Sequence, residues 1–172
     1  THFYQASDFD MRYSRQIVLP QVGREGQEKL ARSRILLVGA GGLGSPAAFY
    51  LAAAGVGHLR IVDHDIIDLS NLQRQILHKD ADIGEYKVTS AKRTLNALNP
   101  SISIEIHQDS ISKSNVINYL NDVDLVIDGT DNFTSRYAIS DACTQAGIPW
   151  VYGAVYRFEG QLALFHASRG EQ

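Results

Sequence analysis

A glycine-rich segment at residues 39–44 is the first candidate site, because it reads Gly-Ala-Gly-Gly-Leu-Gly with the spacing GxGxxG. The apolar run 35–38 precedes it and an alanine-rich stretch follows, so the segment joins a predicted strand to a predicted helix. Glycines at this spacing permit a tight turn, close approach of a phosphate and close packing of helix on strand. Amides at the helix N-terminus then face the anion. The predicted nucleotide-binding glycines are Gly39, Gly41, Gly42 and Gly44.

An acidic residue stands where nucleotide-binding folds of this kind place a ribose ligand. Asp63 ends the second predicted strand, residues 59–62, and Asp65 follows two positions later. A carboxylate at this point can accept hydrogen bonds from ribose hydroxyls. The glycine loop, the predicted helix after it and Asp63 together favour a nucleotide-binding site over the alternative that the glycines serve packing alone. The motif does not distinguish NAD from ATP.

A polar segment, residues 64–86, interrupts the regular pattern and is rich in amides and cations. It contributes Asn71, Arg74 and Gln75, and Lys87 follows in the first turn of the next predicted helix. A cation is unfavourable at a helix N-terminus, so its presence there favours a polyphosphate ligand over a solvated polar surface. The sequence also predicts a turn or two of helix over 71–77, with its capping box starting at Ser70.

A third candidate segment follows the fourth predicted strand, where open α/β sheets bind their ligands. Asp131 in this segment has two possible roles. It can hold Mg²⁺ beside a reacting phosphate, or it can cap the next helix. Cys143 lies among apolar neighbours in that helix and is predicted to be a small core residue.

The elements that position these segments alternate between strand and helix, which predicts an α/β fold. We expect a Rossmann-like, mainly parallel sheet with helices on both faces and a C-terminal antiparallel hairpin or extension. Residues 1–33 are predicted to form an N-terminal arm and helix within the same domain as residues 34–172. The predicted strands lie at 35–38, 59–62, 102–106, 123–127, 150–152 and 162–165. The predicted helices lie at 25–33, 45–54, 86–98, 116–120 and in the stretch that ends at Gly147.

Composition excludes several classes of protein. Among 172 residues, 44% are hydrophobic and 20% charged, which is enough for a core. A net charge of −3 argues against nucleic-acid binding by bulk charge. The sequence contains no apolar run of membrane-spanning length and begins with a polar stretch, so we expect a cytoplasmic protein. A single cysteine excludes an intrachain disulfide, and the six histidines are too scattered to indicate a metal site.

Seven segments, taken in order and spacing, resemble the ThiF/MoeB family of ubiquitin-activating-enzyme-like sulfur-carrier adenylyltransferases. The most specific are Arg12-Tyr13-Ser14-Arg15-Gln16 and the segment 69–75, which reads Leu-Ser-Asn-Leu-Gln-Arg-Gln. The others are the glycine loop 39–44, the segments 54–57 and 63–65, Lys87, and Thr130-Asp131-Asn132. The resemblance implies that residues 34–172 form an ATP-binding adenylation domain.

The resemblance also implies residue roles. Asp63 would bind the ribose, and Asp131 would be the catalytic aspartate that holds Mg²⁺. Arg15 would reach the phosphates from the other subunit of a homodimer. The remaining nucleotide and triphosphate ligands would be Asp65, Asn71, Arg74, Gln75 and Lys87, with Arg74 and Lys87 also catalytic.

The implied reaction is ATP-dependent adenylylation of the C-terminal glycine of a small ubiquitin-like carrier ending in Gly-Gly. The carrier would serve thiamin or molybdopterin biosynthesis, and the segment 156–161 slightly favours molybdopterin. Full-length relatives continue into a zinc and crossover region, so we expect this chain to be truncated before it, without zinc ligands. Two alternatives are a nicotinamide-dependent oxidoreductase and a non-catalytic scaffold subunit. An oxidoreductase would need a substrate domain, and this sequence supplies none after Phe165. Scaffold subunits tend to lose phosphate-binding residues, whereas Arg74, Lys87 and Asp131 are all present in this sequence.

Overall fold

The computed structural model describes residues 7–167, and its centre is one six-stranded sheet in the order β3-β2-β1-β4-β5-β6. Strands β1 to β5 run parallel, and β6 pairs antiparallel with β5. The predicted Rossmann-like sheet with a C-terminal hairpin is therefore confirmed. The strands are β1 Arg34–Val38, β2 His58–Val62, β3 Ser103–His107, β4 Leu125–Asp128, β5 Trp150–Tyr156 and β6 Glu159–Phe165.

Helices cover both faces of the sheet, as predicted. The first three come from the N-terminal arm, and the longest, α7, follows β4. Within residues 7–167, none of the helices is long and apolar enough to cross a membrane. The helices are α1 Asp8–Arg12, α2 Ser14–Ile17, α3 Gly23–Arg32, α4 Gly44–Ala54, α5 Lys87–Leu98, α6 Val116–Tyr119 and α7 Phe133–Ala146, with 3-10 turns at Leu69–Asn71 and Asp80–Asp82.

The core has two layers because side chains of a strand alternate between the faces of the sheet. On one face, Leu37 packs in a cluster with residues of α4 and α5. On the other face, Leu36 packs in a cluster with residues of α6 and α7. Both faces of β1 are buried, which explains its continuous apolar run. Cys143 lies in the second layer as predicted, and burial, helped by the charge of Asp128, raises the pKa of its thiol to about 12.

The N-terminal arm packs partly on its own domain. Tyr13 is buried against Gly55, and its hydroxyl accepts a hydrogen bond from the Asn99 amide at 2.8 Å. Gln16 donates to the Gln27 side chain at 2.6 Å. Apolar side chains from the same arm remain exposed, namely Met11, Val18 and Leu19.

The prediction of a helix over 71–77 was wrong. The segment forms a 3-10 turn over Leu69–Asn71, and a second lies at Asp80–Asp82. Asp68 caps the first turn, accepting from the Ser70 amide at 2.8 Å while the Asn71 side chain accepts from the Asp68 amide at 3.0 Å. The capping box therefore starts at Asp68, two residues before Ser70, and it closes a 3-10 turn instead of the first turn of an α-helix.

Candidate nucleotide-binding site

A cavity of about 530 Å³ lies at the carboxyl ends of β1, β2, β3 and β4. Loops that follow four strands meet there, which is where open parallel sheets bind ligands. The walls include most of the predicted site residues, so the fold brings together segments up to 92 positions apart, from Gly39 to Asp131. The predicted residues among its lining are Gly39, Gly41, Gly42, Asp63, Asp65, Arg74, Gln75, Lys87 and Asp131.

The four glycines of the loop divide into two pairs. A side chain on Gly44 would bring its Cβ within 1.8 Å of the Gly39 carbonyl oxygen, so Gly44 is required for packing and does not line the cavity. Gly39 has a φ of +92°, and a Cβ there would lie 2.9 Å from the Gly129 oxygen. Gly41 and Gly42 face the cavity, and within residues 7–167 their amides donate no hydrogen bond. These two amides are therefore available to an anion.

Asp63 is buried with both carboxylate oxygens already engaged. Its Oδ2 accepts from the Ala40 amide at 2.7 Å, and its Oδ1 accepts from the Asp65 amide at 2.8 Å. Each carboxylate oxygen has a second lone pair, so Asp63 can still accept from ribose hydroxyls. It therefore both fixes the loop and presents acceptors to the cavity.

Lys87 is the most enclosed cation of the cavity, with a side chain only 7% exposed. Its Nζ lies 2.7 Å from Asp65 Oδ2, and its amide donates to the Asp65 carbonyl at 3.0 Å. The ammonium group has three donors, and among residues 7–167 Asp65 is its one hydrogen-bond partner. Its remaining donors fit an anionic ligand in the cavity.

Arg74 and Gln75 lie over the two cavity-facing glycines. The stem of Arg74 packs against Gly42, and its guanidinium donates to the Ser70 carbonyl at 3.0 Å. Gln75 is 3% exposed, packs against Gly41, and has a buried Oε1 without a hydrogen-bond partner within the described residues. A buried amide oxygen costs free energy until a donor reaches it, so Gln75 fits a ligand that carries hydroxyl or amino groups.

Asp131 does not cap the helix that follows. Asn132 is the cap, accepting from the Ser135 amide at 2.9 Å. The Asp131 carboxylate is exposed, lines the cavity, and makes no hydrogen bond or ion pair within residues 7–167. Mg²⁺ is commonly held by one or two carboxylates together with phosphate oxygens and waters, so this unpaired carboxylate fits a magnesium–nucleotide complex.

Three residues for which the sequence predicted no role in the site fix the loop that carries Asp131. Thr130 donates from its amide and hydroxyl to Asp128 Oδ1, at 2.9 and 2.6 Å. Burial raises the pKa of Asp128, although the bonds from Thr130 oppose that shift. Arg136 donates to the Thr130 carbonyl and lies 4.6 Å from the centre of the Tyr152 ring. Asp128 at a strand end was a usable signal, whereas the contacts of Arg136 depend on how α7 packs.

Besides Gly44, two predicted site residues do not line the cavity. Asn71 accepts from the Asp68 amide, so its carboxamide oxygen holds the 3-10 turn beside the site. Arg15 is exposed on α2 and lies outside the cavity of its own chain. Their predicted ligand roles remain predictions.

The sheet order, the glycine loop and the cavity together define a nucleotide-binding α/β protein. Residues 13–172 match the ThiF family, and the chain belongs to that family. The resemblance predicted from the sequence is thus confirmed.

Comparisons with individual proteins agree with this assignment. The chain is 49% identical over 154 residues to the probable adenylyltransferase/sulfurtransferase MoeZ of Mycobacterium tuberculosis, covering 90% of this chain and 39% of that protein. It is 48% identical over 155 residues to the sulfur carrier protein adenylyltransferase of Thermus thermophilus, covering 90% and 57%. The chain thus spans roughly half the length of these relatives or less. A crystal structure of E. coli MccB with AMPCPP and MccA superposes with a TM-score of 0.84 at 25% identity, covering 94% of this chain and 51% of that one.

Proposed function

We propose that this chain is the nucleotide-binding part of an enzyme that adenylylates a small ubiquitin-like sulfur-carrier protein with ATP. The observation that carries the proposal is the convergence of free loop amides, a buried lysine and the unpaired Asp131 carboxylate on one cavity. The names of the relatives, a sulfur carrier protein adenylyltransferase and a probable adenylyltransferase/sulfurtransferase, support the same class of reaction.

The reaction joins two anions, so positioning and charge neutralisation dominate its chemistry. A carboxylate oxygen of the carrier's C-terminal glycine attacks the α-phosphorus of ATP. A new oxygen–phosphorus bond forms, and the bond to the leaving pyrophosphate breaks. The carboxylate is ionised at neutral pH, so no protein group needs to remove a proton. The protein's task is to hold both anions in line and to balance the charge on pyrophosphate.

The described residues divide this task among them. Amides of the glycine loop and Lys87 receive the phosphates, and Arg74 adds a second cation at the same wall. Asp63 accepts from the ribose hydroxyls. Asp131 would hold Mg²⁺, which would neutralise phosphate charge when bound.

The carrier docks beside the nucleotide. A second groove shares Asp131, Arg136 and Val155 with the nucleotide cavity and continues along the β5–β6 hairpin. Its rim carries exposed apolar side chains, which are typical of surfaces that bind another protein. A Gly-Gly tail fits a groove that leads to Asp131, because side chains are absent at the reacting end. Of the exposed apolar residues, Phe133, Val155 and Tyr156 line the groove, and Tyr137, Phe158, Leu162 and Leu164 are exposed elsewhere on α7 and the hairpin.

The enzyme acts as a homodimer in which Arg15 reaches the neighbouring subunit's phosphates. The exposed position of Arg15 on α2 and the exposed apolar residues of the arm support a second copy as the partner.

Carrier-dependent exchange of pyrophosphate into ATP tests the proposed function in the complete protein. We expect exchange with a carrier that ends in Gly-Gly and none with the same carrier lacking those two residues. Parallel assays with carriers from the thiamin and molybdopterin routes identify the pathway, and we expect the molybdopterin carrier to react faster. Binding of ATP without exchange on any such carrier would overturn the proposal.

A further inference from the structure

A buried imidazole lies behind the glycine loop, outside the lining of both the cavity and the groove. His78 is 6% exposed and comes from the irregular segment between β2 and α5. Its Nε2 is 3.0 Å from the Ala40 carbonyl oxygen, and its Nδ1 is 2.9 Å from Ser90 Oγ on α5. None of the roles proposed above uses this residue.

The Ala40 peptide groups are held from two directions. The Ala40 amide donates to Asp63 Oδ2 at 2.7 Å, while the Ala40 carbonyl faces His78. Within the part of the chain that the structure describes, the only other donor near that carbonyl is the Ser45 hydroxyl, at 3.4 Å. Ala40 is fully buried and directly precedes Gly41, so these bonds fix where the free amides of Gly41 and Gly42 point.

The hydrogen-bond partners also fix the tautomer of His78. A carbonyl oxygen only accepts, so the proton of the neutral ring lies on Nε2. Burial lowers the pKa of the imidazole, which keeps the ring neutral at neutral pH. Nδ1 then accepts, and the single Ser90 hydroxyl proton is shared between Nδ1 and Asp82 Oδ2, which is 2.7 Å away. Asp82 in turn is paired with Arg93 on α5.

We propose that His78 is a positioning residue for nucleotide binding: its Nε2–H holds the Ala40 carbonyl so that the amides of Gly41 and Gly42 face the phosphates. This inference rests on the proposed function only in that the loop binds ATP. Loss of the donor leaves a buried carbonyl with one long contact, and the loop is then free to turn its amides away from the cavity.

Three variants of this chain test the inference by ATP affinity and thermal unfolding. His78→Phe removes the donor, and we expect the Kd for ATP to rise about tenfold. His78→Gln keeps an amide donor at the reach of Nε2 and is expected to restore the Kd to within about threefold of the parent chain. Thr94→Val is the matched control, because Thr94 donates to the Leu77 carbonyl at 2.9 Å, next to His78 but away from the loop. It is expected to lower the melting temperature without changing the Kd.

The shorter His78→Asn replaces His78→Phe as the donor-deficient variant if the phenylalanine variant fails to fold. In the complete protein, the donor-deficient variant should raise KM for ATP and leave kcat nearly unchanged. Equal ATP affinities for the parent chain and the donor-deficient variant would overturn the inference. It would also be overturned if His78→Gln bound ATP as weakly as the donor-deficient variant. Failure of carrier-dependent exchange alongside the expected affinities would overturn the proposed function and leave this inference standing.

Discussion

Two surfaces that meet at Asp131, the loop wall of the cavity and the surface of the β5–β6 hairpin, are built differently. The loop wall contains Asp63, Gln75 and Lys87, all buried, and its backbone is fixed by hydrogen bonds on both sides of Ala40. We call the second surface the hairpin wall: it is formed by the exposed apolar residues of β5–β6 and their turn, of which Val155 also lines the cavity. Phe158 at its turn is fully exposed, and Leu162 on β6 is 81% exposed.

This difference indicates two kinds of ligand. A small charged ligand requires donors and acceptors that are already in place, because reorganising buried polar groups costs free energy. A large apolar surface requires another protein to cover it. The loop wall therefore has buried donors and acceptors already in place, whereas the hairpin wall fits a protein partner. Substitutions in the first wall should change nucleotide chemistry, and substitutions in the second should change only docking.

The largest effect is expected for Asp131, at the boundary between the walls. Asp131→Ala in the complete protein should lower pyrophosphate exchange at least about 100-fold, because the proposed magnesium ligand is lost. ATP binding should remain measurable, since the loop amides and Lys87 are unchanged. Asp141→Ala is the control, because Asp141 is an exposed carboxylate farther along α7, paired with Lys113 at 3.2 Å. Undiminished exchange in Asp131→Ala would remove Asp131 from the reaction.

Arg15 tests whether the loop wall extends across a dimer. Arg15→Ala and Asp131→Ala should each be inactive in the complete protein, and mixed dimers of the two should regain up to about half of the parent activity per dimer. A mixed dimer rebuilds one site from an intact Asp131 on one chain and an intact Arg15 on the other. Confirmed mixed dimers without activity would show that Arg15 does not serve the neighbouring site.

The fold and the residues of the loop wall could be predicted from the sequence for a physical reason. Buried parallel strands are continuous apolar runs, as in β1, and the glycine loop has a fixed spacing between strand and helix. The hydrogen bonds that fix the loops could not be predicted from the sequence. His78 and Ala40 meet only because the irregular segment folds behind the loop. Asp131 and Asn132 are both competent caps, and only the backbone geometry selects Asn132.

Lys87 should discriminate between nucleotides by their phosphates. Lys87→Ala is expected to weaken ATP binding about tenfold and AMP binding much less, because its free donors face the distal phosphates in the proposed complex. Lys113→Ala is the control, since Lys113 is an exposed lysine outside the cavity. Calorimetric titration of ATP and AMP into both variants measures the difference. Equal losses for the two nucleotides would place Lys87 away from the triphosphate.

A polar substitution in the hairpin wall should weaken carrier binding and leave ATP binding unchanged, unlike a substitution in the loop wall. Phe158→Ser is expected to weaken carrier binding about three- to tenfold while leaving the Kd for ATP and the melting temperature unchanged, because the ring is fully exposed. Tyr50→Ser is the control, since Tyr50 is also exposed but lies on α4. A changed ATP affinity in Phe158→Ser would mean that the two walls are not independent.

The smallest effect is expected outside both walls, at the β3 edge of the sheet. Burial there raises the pKa of Glu105, but hydrogen bonds from Arg60, His107 and His58 outweigh it and lower that pKa to about 2. A carboxylate with a lowered pKa stabilises the fold fully above its unfolded pKa of about 4.5, and this stabilisation is lost as the pH falls towards 2. Glu105 is partly exposed, so solvent screening limits the contribution to about 1 kcal/mol.

Urea unfolding at pH 7 and pH 3 measures this contribution. Glu105→Gln should lower the free energy of unfolding at pH 7 and narrow the difference between the two pH values, because the variant has no carboxylate to protonate at this position. Glu159→Gln on the exposed hairpin is the control. ATP binding at pH 7 should be the same in all three proteins, since Glu105 is not among the residues that line the cavity. A Glu105→Gln variant that retains the parent's full dependence on pH would assign the acid sensitivity to other carboxylates. A variant with weakened ATP binding would show that the loop wall depends on the far edge of the sheet, and the boundary drawn between the walls would then have to include β3.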